Sequence, residues 1–241
     1  MSAGGYFTYA GHSSREYGIL VDSVTGIWDS PERDFEMIEI PGRNGELTID
    51  NGRWKNVPGS YQCGIGVNFQ ANFEAFRAML ASCISYQRLE DSWHPNEYRM
   101  AKLESGLQVE LIKNGVFGGT FAVPFTVMPQ RWLKSGETSQ TFTSSGSVRN
   151  PTLYEAKPLL RVYGTGTFTI GSVSMKITSA STYTDIDCDA CECYKNTYAT
   201  NCNGNVVLLN KKFPTLPAGN TGVSLGSGIS KIILTPRWWT L

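Results

Sequence analysis

Charge is scarce in this chain. Asp, Glu, Lys and Arg make up 17% of its 241 residues, where roughly a quarter is usual. The 21 basic residues balance the 21 acidic ones, so no electrostatic footprint points to nucleic acid or to an anionic membrane surface. Histidine is almost missing, with His12 and His94 alone. Neither stands in a Gly-x-Ser-x-Gly elbow or a His-Glu-x-x-His helix, so no nucleophile or metalloprotease arrangement is written in the sequence and no enzymatic activity is expected. No apolar run approaches the roughly 20 residues of a membrane-spanning helix, and membrane insertion is not expected. The opening Met-Ser-Ala-Gly-Gly-Tyr-Phe lacks the basic-then-apolar order of a secretory leader, which leads us to expect synthesis in a cytoplasm. Tandem repeats and long low-complexity tracts are also missing.

Glycine and apolar side chains are plentiful. With 25 glycines and 41% apolar residues, the composition favours turn-rich β structure around a real core. The length allows one large domain or two of ordinary size. Composition shifts near residue 130, which divides the chain into residues 1–133 and 134–241. Lys134 to Thr152 is rich in Ser, Thr and Gly, and reads as either a linker or a hydrophilic first strand. From Pro158 on, short strands are expected at Leu159–Tyr163, Thr167–Ile170, Ser172–Ile177, Tyr183–Asp187, Val206–Leu209, Gly222–Leu225 and Ile229–Leu234, the signature of a β-sandwich of jelly-roll type. In the first part, strands are expected at Tyr6–Tyr9, Tyr17–Val24, Phe35–Ile40, Tyr61–Val67, Tyr98–Leu103, Leu107–Lys113 and Val116–Met128. Asn114-Gly115 would join the last two, and Pro124 marks an edge or a bulge. Tyr61, Cys63, Ile65 and Val67 share one face. The small Gly64 and Gly66 on the other leave room for a second backbone. The one helical signal covers about 72–86, where Phe73, Phe76, Met79, Leu80, Cys83 and Ile84 line one face, with Asn72 as N-cap and Glu74 in the first turn.

One stretch has unusual turn chemistry. Ile38 to Val57 holds two Asn-Gly pairs, Asn44-Gly45 and Asn51-Gly52, within short apolar-polar alternations. Asn-Gly suits the type I′ turn, where both central residues need positive φ. Pro41 has no N–H to donate and marks a free edge or strand end. One or two projecting hairpins are expected.

Three groups of side chains have the residue types that chemistry needs. Glu32, Asp34, Glu36 and Glu39 cluster ahead of the hairpin, but their alternation fits a solvated strand face better than two carboxylates facing across a cleft. Cys188, Cys191, Cys193 and Cys202 could hold a tetrahedral zinc, yet they lack two separated Cys-x-x-Cys knuckles. Reduced, partly buried thiols are the simpler reading. Trp132, Trp238 and Trp239 could stack on sugar, or could lock the last strand into a core or interface.

Read in order, several segments carry a resemblance. They are Ile40-Pro41-Gly42-Arg43-Asn44-Gly45-Glu46-Leu47; Leu89 to Pro95 with Tyr98-Arg99; Phe125 to Leu133; Asn150-Pro151-Thr152; Pro158 to Gly166; Ile186-Asp187-Cys188; Phe213-Pro214 to Gly219-Asn220; and the closing Pro236-Arg237-Trp238-Trp239. Together they span nearly the whole chain, which resembles the distal tail proteins, the tail hub family of long, flexible-tailed bacteriophages. The resemblance implies a mainly β protein. Residues 1–133 would form an N-terminal β-sandwich belt domain with one helix and a projecting intersubunit hairpin. Residues 134–241 would form a C-terminal galectin-like β-sandwich. It also implies a homohexameric ring around the tail channel at the distal tip of the virion tail, assembled in the host cytoplasm. The ring would join the tail tube protein to the tail-tip protein (a tail-associated fibre or lysin) and, in many phages, to receptor-binding or baseplate parts. The genome would pass through without stable binding, and no cofactor or metal is implied. Cys191, Cys193 and Cys202 are not part of this pattern. Ile40 to Leu47 then become the expected subunit contact, since a ring needs one patch to dock on a different patch of its neighbour. A hairpin adding its strands to a neighbouring sheet supplies such a contact. The alternative is a lectin-like module that holds carbohydrate on the host surface.

Overall fold

The computed structural model describes residues 4–66, 68–113 and 117–241, so the expected Asn114-Gly115 turn and Val67 lie outside the described residues. The chain divides into two compact units, Met1–Arg131 with Leu241, and Trp132–Thr240. Each has its own apolar core. Among the described residues no helix is long and apolar enough to cross a membrane.

The first unit contains strands β1 (Phe7–Tyr9), β2 (His12–Ser13), β3 (Ile19–Thr25), β4 (Arg33–Ile38), β5 (Leu47–Trp54) and β6 (Val57–Ile65). Helix α1 (Phe69–Ser82), then β7 (Gln87–Asp91), β8 (Glu97–Leu103), β9 (Val109–Leu111) and β10 (Gly119–Leu133) follow. A single sheet runs β2-β1-β7-β8-β10-β6-β3, with β9 also on β10. Its far edge returns to its beginning, because Gly5 bridges Val21 in β3. One continuous sheet therefore folds over to make both walls of the sandwich. Alternation does the work of filling it. Tyr61, Cys63 and Ile65 of β6 and Phe121, Val123, Phe125 and Val127 of β10 are all buried. Phe7 sits 4.7 Å from the Tyr61 ring and edge-on to Phe125 at 5.9 Å. Each such fully buried side chain contributes about 1.5–3 kcal/mol.

Helix α1 begins three residues before the expected start. The apolar stripe extends back to Phe69, which stacks on Phe73 at 5.5 Å, and Phe73 meets Phe121 edge-on at 5.1 Å. Asn72 is thus inside the helix rather than its cap. The cap position is Asn68, in a left-handed conformation and without a side-chain cap bond. At the other end the turn tightens, with the Cys83 N–H donating to the Leu80 carbonyl at 3.1 Å. Ile84 falls beyond it and is 96% exposed, which removes it from the buried face on which the spacing placed it. Pro124 sits mid-strand, in unbroken register with β6. Its carbonyl accepts from the Glu104 N–H just past the end of β8, so the missing proline donor falls where that neighbour has stopped. Beside β6, Gly64 faces open space, with no second backbone against it among the described residues.

The second unit holds β11 (Gln140–Phe142), β12 (Gly146–Asn150), β13 (Leu159–Gly164), β14 (Gly166–Ile170), β15 (Val173–Ile177), β16 (Tyr183–Asp187) and β17 (Glu192–Lys195). The remainder are β18 (Thr197–Asn201), β19 (Val206–Leu208), β20 (Gly219–Leu225), β21 (Ile229–Thr235) and β22 (Trp239–Thr240). A six-stranded sheet, β11-β21-β13-β16-β17-β18, accompanies a five-stranded one, β12-β20-β14-β15-β19. Leu160, Val162 and Ile232 from the first and Phe168, Met175 and Val223 from the second share one core, which makes the galectin-like sandwich. The Ser/Thr-rich segment after residue 134 is its edge strands and not a linker. Buried Asn150 holds them in place: its Nδ2 donates to the Tyr154 and Leu216 carbonyls, and its Oδ1 accepts from the Thr152 N–H and hydroxyl.

Candidate subunit interface

Strands β4 and β5 pair with each other in a sheet of their own. Ile38 lies opposite Leu47, Met37 opposite Thr48 and Glu36 opposite Ile49. Residues 39–46 are therefore the connecting loop, too long for the expected type I′ turn. Gly45 has positive φ, but Asn44 does not. The tight turn is three residues earlier. Arg43 N–H donates to the Ile40 carbonyl at 3.1 Å, and Gly42 has φ +79°. Proline at the second position and a positive-φ glycine at the third are the requirements of a type II turn. Asn51-Gly52 makes no second hairpin either. It lies within β5 as a bulge, opposite the irregularity between Arg33 and Phe35, with the Gly52 N–H donating to Asp50 Oδ1 at 2.8 Å.

The root of this hairpin is laced by charge. Arg33 grips Asp50 through Nε and Nη2 at 2.9 and 2.6 Å, Arg53 Nε reaches Asp34 at 2.6 Å, and Lys55 Nζ reaches Glu32 at 3.4 Å. The carboxylates expected on a plain solvated face are thus partly cross-strand partners. The Arg53 hydrogen bond holds Asp34 below the usual carboxylate range, and those from Arg33 and the Gly52 N–H do the same for Asp50. The arm itself is different. Ile38, Leu47 and Ile49 share one face and Phe35 and Met37 the other, and all five are exposed. Of the expected contact residues, Ile40, Pro41, Arg43, Gly45 and Glu46 line one depression of about 380 Å³. Gly42 and Asn44 lie in the same loop, and Leu47 opens β5.

The chain reaches the hairpin from a rigid base. Ile27 is buried, and its carbonyl accepts from buried Arg99. Gly26 has φ +77°, and a Cβ there would sit 2.0 Å from the Pro58 carbonyl oxygen, so only glycine lets β3 turn toward the arm. Nearby, Asp91 accepts from the Tyr61 hydroxyl at 3.0 Å and from the backbone N–H groups of Trp93 and His94. His94 Nδ1 lies 3.1 Å from the same carboxylate, while Trp28 covers the ring at 4.2 Å. Glu97 and Arg131 form a two-point ion pair at 2.6 Å. Burial raises the Glu97 pKa, but the Arg131 hydrogen bonds together with the positive charges of Arg131, His94 and Arg99 outweigh it and hold the pKa down. The segment Leu89 to Arg99 is thus a polar knot joining several strands. Its residues are evident in the sequence, but their joining is not, because the partners Tyr61 and Arg131 lie far from it along the chain.

The other candidates are placed as follows. His12 pairs on the surface with Glu16 at 3.4 Å. Trp238 is buried in the second core, and Trp239 stacks on Tyr154 at 4.6 Å while its Nε1 donates to the Glu155 carbonyl. Trp132 is half-buried. Cys188 and Cys193 are buried, Cys202 half-buried and Cys191 exposed. Among the described residues no group of three or more His, Cys, Asp or Glu side chains is placed to hold a metal ion.

A crystal structure superposes on this architecture from end to end. It is that of the SPP1 Dit protein (gp 19.1), described as a paradigm of the hub adsorption apparatus in phages that infect Gram-positive bacteria. The TM-score is 0.70 at 15% identity, over 98% of this chain and 99% of that one. The chain has the Dit fold. No family model matches it, and no curated protein matches it in sequence. The likeness to Dit therefore lies in the backbone fold.

Proposed function

We propose that the chain is a tail hub protein of a long-tailed bacteriophage, acting at the distal tip of the virion tail. Six copies close into a homohexameric ring around the channel. The ring joins the tail tube protein to the tail-tip fibre or lysin protein and, through its outer parts, to receptor-binding or baseplate proteins. Residues 1–133 form the ring and residues 134–241 the outward galectin-like domain.

The observation that carries this reading is the β4–β5 arm. A two-stranded hairpin is marginal on its own, and this one exposes apolar side chains on both faces beyond a salt-bridged root. Phe35 is 49% exposed and Met37 54% exposed. Such a surface calls for a cover. A depression of about 580 Å³ on the outer face of β3 and β6, lined by Gly4, Gly18, Leu20, Gln62, Gly64 and others, offers one on a neighbouring copy. Leu20 there is 58% exposed. Arm and depression are different patches, as a closed ring requires.

The test is native mass spectrometry and electron microscopy of the purified protein at micromolar concentration. Wild type should form hexameric rings. Replacing residues 39–46 by Asn-Gly, or introducing Met37→Asp with Ile49→Asp, should leave monomers with an unchanged unfolding midpoint. Monomeric wild type would defeat the self-assembling ring, and rings formed by both variants would move the contact elsewhere.

A further inference from the structure

The late cysteines are arranged for a reaction that the hub reading does not use. Strands β17 and β18 pair with Tyr194 opposite Asn201. Cys202, the first residue past the end of β18, carries this pairing one step further: its N–H donates to the Cys193 carbonyl at 2.7 Å, while the Cys193 N–H turns to Asn203 Oδ1. Directly opposed residues of an antiparallel pair point to the same face, with Cα atoms about 5.5 Å apart when hydrogen-bonded. A disulfide spans Cα separations of roughly 4.4–6.8 Å. Both side chains pack on the same core, and both thiols are free. Strand β18 is the outer strand of its sheet, exposed along its whole length and irregularly paired.

We propose that Cys193 and Cys202 are a redox-sensitive pair, whose oxidation by a small-molecule disulfide staples the edge strand β18 to β17. The half-buried Cys202 is the entry point. Its thiolate attacks one sulfur of glutathione disulfide, whose S–S bond breaks and releases one glutathione thiolate. The Cys193 thiolate then attacks Cys202 Sγ and displaces the second. Two protein thiols become one disulfide, one glutathione disulfide becomes two glutathiones, and the two protons pass to the departing thiolates. Burial pushes the Cys193 thiol up to about 12, so Cys193 is a poor first nucleophile and acts once the mixed disulfide is beside it. The staple would remain open in a reducing cytoplasm and close in an oxidising exterior. Nothing in the pair depends on a ring.

The test uses the full-length reduced protein, incubated with glutathione disulfide, quenched in acid, alkylated and measured by intact mass and peptide mapping. Wild type should lose the mass of two hydrogens, with the Cys193 and Cys202 peptides linked, and dithiothreitol should reverse this. Cys193→Ser should retain one glutathione on Cys202, because the resolving thiol is gone. Cys202→Ser, which alters only a half-buried side chain, should form no link and leave Cys193 reduced. Alkylation of both thiols after oxidation of the wild type, a Cys188–Cys191 link in their place, or dimers joined through Cys202 would overturn the pair.

Discussion

Asp187 gathers five donors: both Arg237 terminal nitrogens, the Tyr198 hydroxyl, and the N–H groups of Asp189 and Ala190. Burial would raise its pKa, but the donors from Arg237, Tyr198 and Ala190 outweigh that and hold it well below the usual carboxylate range. The sign follows from linkage. A depressed folded-state pKa gives stability that is complete above the unfolded value of about 3.9 and is lost as pH falls toward the folded one. Asp187→Asn should therefore destabilise the second unit by about 3 kcal/mol at neutral pH, because it leaves Arg237 without its partner. Thermal unfolding followed from pH 7 to low pH should show the wild type losing its advantage over the variant as acid is added. Parallel curves would remove Asp187 as the acid-sensitive lock. Nothing in Ile186-Asp187-Cys188 announced this role, since Arg237 joins it from far along the chain.

At the scale of elements, helix α1 separates what periodicity can and cannot say. Phe76 is fully buried, whereas Ile84, on the same projected stripe, lies past the helix end. Phe76→Ala should cost about 3–5 kcal/mol. Ile84→Ala should stay within about 0.5 kcal/mol, since it changes only exposed surface. Chemical denaturation of the two variants checks this, and a large effect of Ile84→Ala would mean that a partner or another state covers it. The hairpin shows the same limit. Its strands were legible from alternation and its turn region from Pro and Gly. Its loop length was not, because register is set by which residues pair across strands and not by the best local turn motif.

For the whole molecule, two separate cores predict two unfolding events. The first joins Phe7, Tyr61, Phe76 and Phe125, and the second joins Leu160, Phe168, Met175 and Ile232. Differential scanning calorimetry should resolve two transitions, and Asp187→Asn should lower only one of them. A single two-state transition shifted as a whole would mean that the cores unfold as one cooperative unit. The edge strands after residue 134 belong to the second event, although their composition is that of a linker. Backbone pairing and one satisfied Asn150 hold them, and neither leaves a hydrophobic period to be read.

The sequence by itself determined the class of the molecule. Alternating apolar residues, abundant glycine and a single helical stripe specify mainly β structure, because burying one face of each strand is a local property of spacing. The order of short segments also pointed to the tail hub family, and the end-to-end superposition on Dit has the fold that this implies. Only the tertiary structure decided which apolar residues remain uncovered. Met37 and Ile49 read in sequence like any strand residues, and they stay exposed because, among the described residues, no third strand pairs with β4 or β5. It likewise decided that Cys193 faces Cys202, since strand register is fixed by the packing of the whole sheet.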